Sequence, residues 1–100
     1  WRGLFIAAAE GQPVRAPTRG RVVFADWLRG FGLLVVLDHG QGLMSLYGHN
    51  QSVYKNVGDG VEAGETLAAS GNTGGPPQPG LYFEVREHGE PRNPLDWCKL

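Results

Sequence analysis

Short runs of alternating apolar and polar residues organise this chain. In "LYFEVR" (81–86), Leu81, Phe83 and Val85 alternate with Tyr82, Glu84 and Arg86, which predicts a strand with one apolar face. "GRVVFADWL" (20–28) is also read as a strand, with Val22, Phe24 and Asp26 on one face and Val23 and Ala25 on the other. "GFGLLVVLDHGQG" (30–42) holds a continuous apolar run from Leu33 to Leu37, expected as a buried strand that closes in a glycine-rich hairpin turn. "LMSLYGHN" (43–50) is the returning strand, and "VGDGVEAGETLA" (57–68) reads as a turn flanked by two short strands. "NTGGPPQPG" (72–80) is too dense in Gly and Pro for regular structure and is expected as a loop. No window of helical length carries the i, i+3, i+4 pattern. The expected class is all-β and antiparallel, with little or no helix.

Composition supports one small domain. The chain has 100 residues, 41% hydrophobic and 19% charged, enough for a single modest core. The 16 glycines and 7 prolines suit many tight turns between short strands. The net charge is −1 with no cluster of Lys and Arg, so nucleic acid is not an expected partner. No apolar run reaches the length of a membrane span, and no membrane insertion is expected. The single cysteine, Cys98, permits no internal disulfide and no cysteine-based metal cluster. The chain starts at Trp1 without a signal peptide and is expected to be a piece of a longer protein.

Three segments carry a resemblance: "IAAAEGQPVRAPTRGRVVFA", "LDHGQGLMSLYGHNQSVYKNVGDGVEAGETLAASGNTG" and "LYFEVREHGEPRNP". Their turn glycines, the "LYGH" and the "FEVR…G…NP" are similar, in order and without forced gaps, to the lysostaphin/LytM-type metallopeptidase domain. The resemblance runs from Trp1 to about Trp97. It implies an antiparallel β fold with an open groove, a domain comprising residues 1–100, and descent from zinc enzymes that cut peptide crosslinks in bacterial cell wall. Active members hold one zinc with a His and an Asp four apart and with the second His of a late His-x-His. The first His of that pair and the His of a Tyr-x-His segment assist catalysis. A His-x-His on a strand places both rings on one face, and a catalytic zinc takes about three protein ligands with one position left for water.

Position by position, "WRGLFI" puts Trp1 at the His position and Phe5 at the Asp position. "PGLYFEVR" puts Gly80 at the first His of the late pair and Tyr82 at the second. Only His49 of "LYGHN" remains. The resemblance thus implies a degenerate member with no zinc, no cofactor and no catalytic residue. Tryptophan and phenylalanine have no lone pair to give, and a tyrosine with an ordinary pKa near 10 is a poor zinc ligand at neutral pH. His39 in "DHGQG" and His88 in "EHGEP" are read as solvated turn residues, and His49 on its own as a hydrogen-bonded structural residue or a groove residue touching a partner.

The lost positions carry aromatic groups, with Arg2 and Arg86 beside them. Trp, Tyr and Arg are enriched at interface hot spots, and an apolar groove with a cationic rim suits an amphipathic segment. Expected groove residues are Arg2, Phe31, Leu34, Tyr82 and Arg86, with Trp1, Phe5 and His49 as neighbours. Two alternatives stay open: Arg86 pairs with Glu84 while Tyr82 covers the core, and Phe31 folds onto its own hairpin. Tyr82→Ala and Arg86→Ala are expected to leave the fold intact, and Gly80 to matter little unless its φ is positive.

The replacements resemble the degenerate branch whose members activate murein hydrolases in Gram-negative cell division. That implies a periplasmic protein whose partner is a zinc-dependent N-acetylmuramoyl-L-alanine amidase, held off by its own helix until the groove binds its regulatory region. Full-length relatives also dock on the FtsEX membrane complex through a coiled coil, a segment this sequence does not include. Without such restraint this piece is expected to activate constitutively. The competing readings are a peptidoglycan-binding module and an active zinc endopeptidase with unrecognised ligands.

Overall fold

The computed structural model describes residues 3–94; Trp1, Arg2 and residues 95–100, including Trp97 and Cys98, lie outside it. The described residues form nine antiparallel strands: β1 Leu4–Ala7, β2 Pro13–Arg15, β3 Gly20–Leu28, β4 Gly32–Gly40, β5 Leu43–Val53, β6 Gly60–Val61, β7 Thr66–Ser70, β8 Gly80–Glu87 and β9 Glu90–Arg92. There is no α-helix among them. The main sheet runs β1-β8-β5-β4-β3-β6, with β9 hydrogen-bonded to β8 and β2 joined to it through β7.

β5 organises the fold because it is long enough to serve two layers. From Leu43 to Asn50 it pairs with β4 and β8. Asn50 also pairs with Ser70 of β7, and past a bulge between Asn50 and Ser52 that pairing continues through Ser52 and Val53. A bulge bends and twists a strand, so β7 and β2 are carried beside the inner face of the main sheet. The core, Val22, Val35, Leu37, Tyr47, Leu67, Phe83 and Val85 among others, packs there. The two short strands expected within residues 57–68 are β6 and β7. They do not pair with each other: β6 pairs with β3 and β7 with β2 and β5.

Two hairpins show why their turn residues were chosen. Gln41 and Gly42 have φ of 55° and 80°, and His88 and Gly89 have 54° and 80°. Positive φ at both central residues is the two-residue turn that matches strand twist. The strand reading of 20–28 needs one correction. A bulge between Val22 and Phe24 shifts the register, so Val22 and Ala25 serve the core, whereas Phe24 and Asp26 lie on the opposite face.

That opposite face positions the site. The β5–β8, β4–β5 and β3–β4 registers define rows across it: Tyr82 beside Gly48, then Glu84–Leu46–Val36–Phe24, then Arg86–Met44–Asp38–Arg21. One end is aromatic, the middle apolar around a buried Glu84, and the other end charged.

Candidate functional site

The aromatic end is assembled from β1, β8, the β3–β4 turn and the tip of β5. Phe5 lies opposite Tyr82 in the β1–β8 register. The Phe31 ring crosses to Tyr82 at 5.5 Å between centroids, so it packs on β8 rather than on its own hairpin. His49 stands between Phe5 (6.4 Å) and Tyr82 (6.1 Å). These offset and edge-on contacts are the geometry favoured by aromatic quadrupoles. Phe5 is 37% exposed.

Two glycines make room for this cluster. A Cβ on Gly80 would lie 2.4 Å from the Ile6 carbonyl oxygen and 2.6 Å from Phe5 Cζ. The Phe5 ring therefore fills the space that a side chain at position 80 needs. A Cβ on Gly3 would lie 2.3 Å from the Tyr82 hydroxyl, so that ring lies over the backbone just before β1. The expectation that Gly80 matters little is corrected: its φ is not in the positive region, but backbone and Phe5 leave no volume for a side chain.

His49 has φ of 65°, a conformation that costs a non-glycine residue about 1–3 kcal/mol. Two hydrogen bonds hold it. Its N–H donates to Phe31 O at 2.6 Å, and Nδ1–H donates to Thr73 O at 2.7 Å. Thr73 Oγ1 in turn donates to Asn50 O at 2.5 Å and accepts from Leu33 N–H at 3.1 Å. Thr73 thus pins the loop of residues 72–79 to β4 and β5 as a wall beside Phe31; Gly80, expected in that loop, opens β8. No motif in "GNTGG" singles it out in the sequence.

Glu84 is 2% exposed. Its Oε1 accepts from the Tyr82 hydroxyl at 2.7 Å, and its Oε2 accepts from Arg86 Nε in an ion pair. A buried carboxylate is stable only when paired and hydrogen-bonded. The alternative in which Arg86 pairs with Glu84 is what forms, while the Arg86 side chain stays 39% exposed. Tyr82→Ala and Arg86→Ala accordingly disturb a buried charge and are not structurally silent as expected. Leu34 also needs correction. It is 2% exposed on central strand β4, between β3 and β5, and offers almost no surface to a partner. His39 is no solvated turn residue: it belongs to β4, with Nδ1–H donating to Arg19 O at 2.8 Å and Nε2 bonded to Ser45 Oγ at 2.6 Å. His88 is exposed at its turn, as read. Trp1 and Arg2 lie outside the described residues.

The sequence model of peptidase family M23 matches residues 1–94. The chain belongs to peptidase family M23. It is 52% identical over 97 residues to the murein hydrolase activator EnvC of Escherichia coli K12, a match that covers 97% of this chain and 23% of that protein. Among solved structures, a putative M23 peptidase from Pseudomonas aeruginosa superposes with a TM-score of 0.91 at 29% identity, over 95% of this chain and 42% of that one. The catalytic domain of the antimicrobial peptidase lysostaphin from Staphylococcus simulans gives 0.89 at 28% identity, over 97% and 77%. The expected antiparallel lysostaphin/LytM-type β fold is therefore present. This chain spans about a quarter of the length of the EnvC relative.

Within this M23 domain, Phe5, Phe31, His49, Tyr82 and Gly80 converge at one end of the outer sheet face, and Arg86 stands four residues beyond Tyr82 along β8, past Glu84. Among the described residues no three His, Cys, Asp or Glu side chains are grouped to hold a metal.

Proposed function

We propose that this domain is a non-catalytic activator of periplasmic N-acetylmuramoyl-L-alanine amidases, acting in cell division and daughter-cell separation. In this reading its aromatic groove binds the amidase's regulatory region and relieves autoinhibition. The observation that carries it is the Phe5 ring filling the side-chain space of Gly80: two positions matched to zinc chemistry have become packing. Neither Phe5 nor Gly80 offers a donor atom. The Tyr82 hydroxyl is committed to Glu84, and His49 Nδ1 carries the proton donated to Thr73 O. One remaining imidazole nitrogen falls short of the three protein ligands of a catalytic zinc. The residues therefore do not fit the family's metal, and no step is routed through one. The name of the EnvC relative, a murein hydrolase activator, supports the same reading, and an envelope location in a Gram-negative cell follows from it.

The mechanism is a population shift. An amidase exchanges between closed and open states, and a groove that binds only the open one raises its share by the differential affinity. Phe5 and Phe31 supply apolar contact, Tyr82 and Arg86 the amphipathic and cationic edge, with Trp1 and Arg2 adjoining in sequence.

Dye release from labelled peptidoglycan tests the proposal, with the domain alone, an autoinhibited amidase alone, and both together. Release only in the mixture supports it. Phe5→Ala should then weaken activation by about tenfold, as loss of a hot-spot aromatic does, with a thermal melt recorded alongside to separate lost partner contact from lost packing against Gly80. Release by the domain alone would overturn the reading. Sedimentation with peptidoglycan, without any amidase response, would favour a wall-binding module.

A further inference from the structure

A cleft of about 410 Å³ opens at the charged end of the molecule, lined by Arg19, Arg21, Asp38, His39 and Glu62 together with backbone glycines. It is distinct from the aromatic groove. Its Asp38 pairs with Met44 of β5, whereas Tyr82 pairs with Gly48, four residues along the same strand or about 13 Å at about 3.3 Å per residue.

The cleft holds charges of both signs that do not neutralise each other. Arg21 stands directly across from Asp38. Gly20 pairs with Val61 and Arg21 with Gly60, and Arg19 and Glu62, the residues next to Gly20 and Val61, both line the cleft. Directly opposed opposite charges are the arrangement in which cross-strand ion pairs form. Neither closes here: the ion pairs among the described residues are Lys55–Glu65, Arg86–Glu84 and Arg92–Glu87. Asp38 uses Oδ1 to accept from Gly40 N–H at 2.8 Å, which fixes the carboxylate and leaves its other oxygen. The His39 ring is locked from both sides. Nδ1–H donates to Arg19 O, so Nε2 accepts from Ser45 Oγ–H, which accepts from the Tyr47 hydroxyl at 2.6 Å. With both nitrogens engaged, His39 shapes the wall and offers no atom to a metal. Gly40 and Gly60 keep the entrance low, since a Cβ on either meets nothing within 4 Å.

This donor set discriminates between ligand classes. A plain anion that reaches the guanidinium groups also meets two carboxylates, and a plain amine meets two guanidinium groups. A ligand with both charges satisfies both, its carboxylate taken by arginine in the geometry that guanidinium favours. The volume is that of a small-molecule site. We infer that this cleft binds a small zwitterion, a free amino acid or short peptide, with its carboxylate on Arg19 and Arg21 and its ammonium on Glu62 and Asp38. The inference is independent of the amidase reading, because none of these residues belongs to the aromatic groove.

Amide chemical-shift titration of the ¹⁵N-labelled chain tests it, with alanyl-alanine, its N-acetyl form, its C-terminal amide, and alanine as probes. Alanyl-alanine or alanine should shift the Gly20, Gly40 and Gly60 amides saturably. Equal binding of the two assigns the cleft to free amino acids, and tighter dipeptide binding to peptide ends. Blocking either terminus should weaken binding by about tenfold, the effect of losing one charge-assisted contact. Arg21→Gln and Glu62→Gln, both at exposed positions, should do the same without moving the melting temperature. The inference is overturned by the absence of any saturable shift, by an N-acetyl form that binds as well as the free one, or by shifts centred on Phe5, Tyr82 and His49. The blocked probes decide the matter even if a variant misfolds.

Discussion

Gly80 and Phe5 occupy one volume, and that is the sharpest residue-level result. In a strand, glycine is usually a weakness, but here a Cβ would sit 2.4 Å from a backbone oxygen, and backbone cannot rotate away as a side chain can. Gly80→Ala is expected to lower the melting temperature by several degrees, corresponding to the 1–3 kcal/mol typical of overpacking. Adding Phe5→Ala should restore only part of it, because the Ile6 carbonyl remains. A melt of Gly80→Ala unchanged from the parent would contradict this geometry. Sequence reasoning placed Gly80 and Phe5 at related positions by motif. It gave no sign that they touch, because they lie 75 residues apart in the chain and meet only through the β1–β8 register.

At the scale of elements, β5 and β7 are tied where one ends and the other begins. Lys55 Nζ pairs with Glu65, and Glu65 Oε1 accepts from Glu62 N–H at 3.0 Å. The Lys55 hydrogen bond first, then the Glu62 backbone bond, hold the Glu65 carboxyl below its ordinary value of 4.5. A depressed carboxylate pKa means that the unfolded chain binds the proton more readily. The pair's stabilisation is therefore present above pH 4.5 and fades as pH falls through the lower folded value. Between about pH 5 and about pH 3 the parent should lose more stability than Glu65→Gln, measured by paired thermal melts. Parallel curves would remove this contribution. The strands themselves were legible from period-two patterning: 20–28, the 33–37 run, 43–50 and 81–86 all fall within observed strands. The partners of β6 and β7 were not legible, since a turn between two short strands suggests a hairpin and only the bulge in β5 sends β7 elsewhere.

For the whole molecule, the two faces of the main sheet divide the work. One carries the core and the other carries a graded surface, aromatic at one end and charged at the other. If the degenerate reading is right, the purified chain should hold far less than one zinc per molecule by metal analysis, and a chelator should leave its melting temperature unchanged. Stoichiometric zinc would return the domain to the enzymatic members of family M23.

The alternation of apolar residues, the glycines at turns and the motif order by themselves determined the antiparallel β class and the M23 relationship, because local periodicity and turn chemistry are properties of short segments. The tertiary structure alone decided that Arg86 and Tyr82 are engaged by a buried Glu84, that Leu34 is covered, that Thr73 pins the loop wall, and that Arg19, Arg21, Asp38 and Glu62 share a cleft. Each depends on register between strands distant in sequence. A one-residue shift reverses which face a side chain joins, and bulges at Val22/Phe24 and Asn50/Ser52 make such shifts with no mark in the local pattern.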